Sequence, residues 1–112
     1  MTTLDTTLIA LADPTRRQVV NLLRQAPRTA GDLALASDMS APAMSRHLRV
    51  LRQSKLVEES GVDYDARLRI YRLRREPFAE LQAWLAEIEA FWTDELRAFK
   101  RHAERGRKGQ KK

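Results

Sequence analysis

Leu4, Leu8 and Leu11 recur at helical spacing and predict a short amphipathic helix over the first dozen residues. Asp13-Pro14 then marks a stop and a restart, because Asp caps a helix N-terminus and Pro fits the first turn. A second helix follows to about Gln25, with Val19, Leu22, Leu23 and Ala26 on its apolar side, and Pro27 ends it. Thr29-Ala30-Gly31-Asp32 has capping-box spacing with Asp as the acidic member, which places a third helix over residues 29–37. Ser40 opens a fourth, with Pro42 in its first turn. Only Ser37-Asp38-Met39 separates the third helix from the fourth, so the two must cross steeply, as in a helix-turn-helix.

Beyond the fourth helix the period changes from helical to alternating. Residues 56–60 and 67–73 read as two strands of a hairpin with its tip at 61–66. Pro77 then starts a long helix reaching Ala103. The fold class is therefore mainly α with a small β-hairpin, a winged helix-turn-helix of order α-α-α-α-β-β-α. Residues 1–104 form the working domain and 105–112 a disordered basic tail. In the last helix Leu81, Leu85, Ile88, Trp92, Leu96 and Phe99 step by three and four, and Phe78, Trp84 and Phe91 broaden that stripe. So wide an aromatic face exceeds what capping a small domain needs and fits a partner subunit. Dimerisation through the last helix follows, with Leu81, Leu85, Ile88, Trp92 and Leu96 at the seam. The competing reading is one long core helix.

Charge sharpens this picture because it is segregated. The formal net charge of +6 divides into −2 over residues 1–15, +7 over 16–75, −4 over 76–104 and +5 over 105–112. A basic middle segment suits a body that offers one face to a polyanion. On a wheel of about 100° per residue, Met44, Leu48 and Leu51 of the fourth helix share the buried stripe. Pro42, Arg46, Arg49 and Gln53 lie opposite, with Ser45 and Arg52 on one flank and His47 at the edge of the apolar stripe. Small residues in the first turn let the backbone approach closely, and Arg46 and Arg49 can read guanine edges or clamp phosphates in a major groove. Arg67 and Arg69 share one strand face of the hairpin and suit phosphate contact, or cross-strand pairing with Glu58 or Glu59. Asp63 and Asp65 at the tip count against deep insertion.

Other chemistries lack their parts. There is no cysteine, so neither a disulfide nor a thiolate metal site is available. His47 and His102 are the only imidazoles and stand in different elements, whereas zinc asks for about four ligands. Ser45 and His47 are two apart on a helix and point to different sides, so they make no nucleophile–base pair. No glycine-rich phosphate loop and no G-x-S-x-G is present. No enzyme and no cofactor is expected. The five-residue apolar run at 8–12 is too short for a signal-peptide core or a membrane span, so a cytoplasmic protein with no membrane partner is expected.

Leu11-Ala12-Asp13-Pro14-Thr15-Arg16-Arg17, followed by Ser40-x-Pro42-x-x-Ser45-Arg46-His47-Leu48-x-x-Leu51, resembles the ArsR family of bacterial winged-helix repressors. Tyr71-Arg72-Leu73 and the aromatic last helix fit the same pattern, and the resemblance spans residues 4 to 100. It implies a homodimer on double-stranded DNA, with Ser40, Ala41, Pro42, Ser45, Arg46, His47 and Arg49 as DNA-binding positions. It also implies dimerisation through the first and last helices, which adds Leu4 and Leu8 to the seam. Metal-sensing members place cysteines before the recognition helix or paired ligands in the last helix. Here residues 29–34 hold no cysteine and the last helix holds only His102, so the chain resembles members that do not sense metal at those sites. The expected function is a dimeric repressor on a pseudo-palindromic operator; the residues do not specify what effector, if any, releases it. Two alternatives are a winged-helix module that docks on protein instead of DNA, and a metal sensor with an unorthodox site.

Overall fold

Side-chain caps set the first four helix starts. The computed structural model describes residues 1–110. Helix α1 (Thr3–Leu11) opens on a reciprocal capping box between Thr2 and Asp5, with Asp5 N–H donating to Thr2 Oγ1 and Thr2 N–H to Asp5 Oδ2. Helix α2 (Pro14–Gln25) starts where Asp13-Pro14 places it, with Asp13 Oδ1 accepting from the N–H groups of Thr15 and Arg16. Helix α3 (Ala30–Ala36) is capped by Thr29, and α4 (Ala41–Gln53) by Ser40, whose Oγ accepts from Ala43 N–H. The last three elements are strands β2 (Val57–Val62) and β3 (Asp65–Leu73) and helix α5 (Arg75–Gln110).

The ends of α3 and α4 are built alike. Asp38 and Lys55 adopt left-handed backbone, at φ 50° and 60°. Each lets the next residue fold back: Met39 N–H donates to Ala34 O, and Leu56 N–H to Leu51 O. Asp38 tolerates this conformation better than most residues, which is how a turn without glycine keeps α3 and α4 so close. The core forms on this frame from Ala10, Val19, Leu23, Leu33, Met44, Leu48, Leu51, Leu56, Val57 and Tyr71, all buried. The stripe expected on α4 is thus the buried one. On α1 the buried positions are Thr7 and Ala10, while Leu8 is 40% and Ile9 53% exposed. Of the four apolar positions expected on α2, Ala26 is exposed, because the chain turns to extended backbone there.

Further differences from the sequence reading fall in the sheet and the last helix. Residues Arg28–Thr29 form a short strand, β1, antiparallel to β3 with Thr29 opposite Ile70, so the sheet has three strands in the order β1-β3-β2. The hairpin strands extend further than expected, leaving Asp63-Tyr64 between them, and a register shift between Gly61 and Val62 absorbs the mismatch. Helix α5 begins at Arg75, two residues before Pro77, which is buried. Phe78 packs on the winged core and does not widen an outer stripe. The helix also continues through residues 105–110, where a disordered tail was expected, while Lys111 and Lys112 of that tail lie outside the described residues.

The chain divides into two units, Met1–Glu80 and Leu81–Lys112. The first is the winged body. In the second, Leu85, Phe91, Trp92, Leu96 and Phe99 are exposed at 48% to 72%, and the Phe91 and Trp92 rings meet edge to face at 5.5 Å. No helix among the described residues is long and apolar enough to cross a membrane.

Asp13 gives the first test of this frame. Hydrogen bonds from the Arg16 and Thr15 backbone, helped by the Arg16 guanidinium, hold its carboxyl below the usual carboxylate range. A depressed carboxyl stabilises the fold at pH values above its unfolded value, and that stability is lost as pH falls through the folded value. Asp13→Ala is expected to cost about 0.5–2 kcal/mol in urea unfolding near neutral pH. The gap from wild type should close as pH drops below about 4. A gap that stays constant through acid would show that the carboxylate is not the stabilising group.

Candidate nucleic-acid interface

The buried stripe of α4 fixes what the helix presents outward. With Met44, Leu48 and Leu51 at 0–2% exposure, Ser45, Arg46, Arg49, Arg52 and Gln53 are all on the solvent side. Ser40, Ala41 and Pro42 are exposed at the same helix start. Neither Arg46 nor Arg49 enters an ion pair among the described residues. Their guanidinium groups stay free for an outside acceptor. Neither side chain is buried in the body of its own chain.

Arg52 is engaged differently. It lies 3.3 Å from Glu59 of β2, and Glu59 sits opposite Tyr71 in the sheet register. Burial and the Glu59 carboxylate together push the Tyr71 phenol up. The end of α4 is thereby tied to the root of the hairpin, which fixes the wing against the helix that would enter a groove.

The wing arginines do not take either cross-strand partner foreseen for them. Arg67 pairs with Asp65 on its own strand, at 3.5 Å and with 93% of its side chain exposed. Arg69 stands opposite Gly61, and a Cβ there would come within 2.7 Å of Arg69 Nη1. The bare glycine backbone lets that guanidinium lie across β2. Arg67 and Arg69, with Thr29, Gly31 and Tyr71, border an open hollow of about 310 Å³ between the start of α3 and β3. This cationic rim beside the helix-turn-helix suits phosphate oxygens, and surface pairing as weak as Arg67–Asp65 gives way readily to a phosphate.

His47 stands apart from the other positions. It is half-buried, and its Nδ1 lies 3.4 Å from Arg16 Nη1. Two arginines of α2, Arg16 and Arg17, have a role that the sequence pattern did not reveal. Arg16 donates to Ala10 O at 2.7 Å and Ile9 O at 3.3 Å, and Arg17 to Leu11 O at 2.8 Å and Ala12 O at 3.1 Å. Between them they bond four carbonyls around the end of α1, of which Ile9 O also accepts from Ala12 N–H. Among the described residues no three His, Asp or Glu side chains gather closely enough to hold a metal.

A tight α3–α4 turn, an exposed basic second helix and a braced basic hairpin define a winged helix-turn-helix DNA-binding protein. Residues 13–59 match the family model described as bacterial regulatory protein, arsR family. The HTH-type transcriptional regulator Rv2034 of Mycobacterium tuberculosis is 36% identical over 80% of this chain and 78% of its own. The transcriptional repressor SdpR of Bacillus subtilis is 40% identical over 45% of this chain and 56% of its own. Among solved structures, an ArsR-like transcriptional regulator from Rhodococcus sp. RHA1 shares 30% identity over 91% of both chains, at a TM-score of 0.76. The homodimeric winged helix-turn-helix DNA-binding domain of a possible ArsR-family regulator from Mycobacterium bovis shares 27% over 79% of each, at 0.62. The chain belongs to the ArsR family of bacterial regulatory proteins.

Proposed function

We propose that this chain is a cytoplasmic homodimeric repressor that inserts α4 into successive major grooves of a pseudo-palindromic operator. The observation that carries this reading is the outward face of α4, where Arg46 and Arg49 stand unpaired opposite a fully buried stripe. Ser40, Ala41, Pro42 and Ser45 form the close-approach surface at its start, and Arg67 and Arg69 grip the neighbouring backbone. Leu4, Leu8, Leu81, Leu85, Ile88, Trp92 and Leu96 form the dimer seam. The exposure of Leu8 on α1 and of Leu85, Trp92 and Leu96 on α5 supports it, as does the homodimer formed by the Mycobacterium bovis domain. Repression is supported by the likeness to the Bacillus subtilis repressor.

Fluorescence anisotropy tests the reading with two probes, a duplex enriched by this protein from a random pool and a duplex of scrambled sequence. The enriched duplex is expected to bind at least about a thousandfold more tightly. Affinity for both should fall linearly in log–log form as salt rises. A protein that enriches no duplex, or whose binding ignores salt, would instead be a module that docks on other proteins.

A further inference from the structure

Resting on the DNA-reading assignment above, we propose that Arg16 and His47 form a positioning couple that sets the angle of α4 for sequence discrimination, with neither side chain contacting DNA. Arg16 gathers four partners from three places. Its guanidinium binds the Ile9 and Ala10 carbonyls of α1, lies 4.0 Å from Asp13 Oδ2 at the cap of α2, and lies 3.4 Å from His47 Nδ1 on α4. Its side chain is only 16% exposed, so the group is held among these partners and does not sweep solvent.

An arginine can only donate, so in this contact Nδ1 of His47 takes the acceptor's place. His47 therefore turns its acceptor inward, away from the face carrying Arg46 and Arg49. Imidazole here is an acceptor of fixed direction on the inner flank of the reading helix. The planar guanidinium fork reaches several acceptors at once in a way an ammonium does not. One rigid group thus connects α1, which carries exposed Leu8 and Ile9, to the register of α4. Base contacts lose their worth with small misplacements, whereas phosphate attraction tolerates them, so a positioning couple acts on discrimination more than on total affinity.

The test compares His47→Leu, His47→Asn and Arg16→Gln in the full chain, using the enriched and scrambled duplexes. His47→Leu removes the acceptor, and His47→Asn keeps an acceptor near the place of Nδ1. His47→Leu is expected to weaken the enriched duplex about tenfold and to leave the scrambled duplex within about twofold, with an unchanged salt slope. His47→Asn should return to within about threefold of wild type. Arg16→Gln and His47→Leu together should cost less on the enriched duplex than the sum of their separate losses, because both remove their shared contact. Since Arg16→Gln also loosens the end of α1, the two His47 variants decide the matter if that protein unfolds. Equal loss on both duplexes with a shallower salt slope would mean direct phosphate contact by His47 and would overturn the proposal. So would no loss, an additive cycle, or an asparagine that restores nothing. If wild type enriches no duplex, the DNA-reading assignment itself fails; if it does enrich one and the variants behave otherwise, only the positioning couple fails.

Discussion

Arg46→Ala combined with Arg49→Ala is expected to remove most of the discrimination between the enriched and scrambled duplexes and to leave the fold intact. Each good bidentate contact between arginine and a guanine edge contributes about 1–3 kcal/mol. A dimer presents two copies of each side chain. One productive contact per half-site already amounts to about 2–6 kcal/mol, or roughly a 30- to 20,000-fold loss. Both residues are exposed and neither is ion-paired in the described residues, so alanine leaves no buried charge behind and thermal unfolding should stay within about 0.5 kcal/mol of wild type. The variants also separate base reading from phosphate clamping. Loss of a base contact strikes the enriched duplex, whereas loss of a phosphate contact lowers both affinities and flattens the salt slope by about one per contact. Arg67→Ala is the natural control for the second pattern. A double variant that binds the enriched duplex as wild type does would remove α4 from the interface and with it the repressor reading.

The outward face of α4 was legible in the sequence because an amphipathic helix encodes both of its sides. Once Met44, Leu48 and Leu51 are assigned inward, rotation alone places Arg46 and Arg49 outward, and burial agrees. The α3–α4 turn was legible for a similar reason, since the cap at Ser40 and the end of α3 leave only three residues between them. What stayed hidden depended on contacts across the chain. The strand at Arg28–Thr29 is two residues long and exists because β3 offers it a partner, so no local period could announce it. The Arg67–Asp65 pair was missed in favour of Glu58 and Glu59 because strand register decides who faces whom, and the shift at Gly61/Val62 is not written in residue type. Arg16 and Arg17 looked like ordinary basic residues in a helix. Their work lies five to seven positions back along the chain, at carbonyls that only the α1–α2 packing brings near.

Converting Trp92 and Leu96 to glutamate should dissociate the dimer and cost the protein most of its operator affinity. In the single chain these side chains are 57% and 67% exposed, so neither belongs to the winged core, and charging them should leave the monomer folded. Against a partner helix the same positions would bury two carboxylates per chain without counter-charges, an arrangement that proteins avoid. Sedimentation equilibrium is expected to move from twice the chain mass to once. The effect on DNA follows from geometry, not from any lost protein–DNA contact. Two tethered reading helices engage two half-sites about 34 Å apart, and the second engagement is intramolecular. Its removal should lower affinity for the two-half-site duplex by about 10²- to 10⁴-fold while leaving affinity for an isolated half-site unchanged. That pairing of results distinguishes a lost partner from a damaged reading head, which would weaken both duplexes together. A double variant that still sediments as a dimer would move the seam off the aromatic stripe, and the wide apolar face of α5 would then need another occupant.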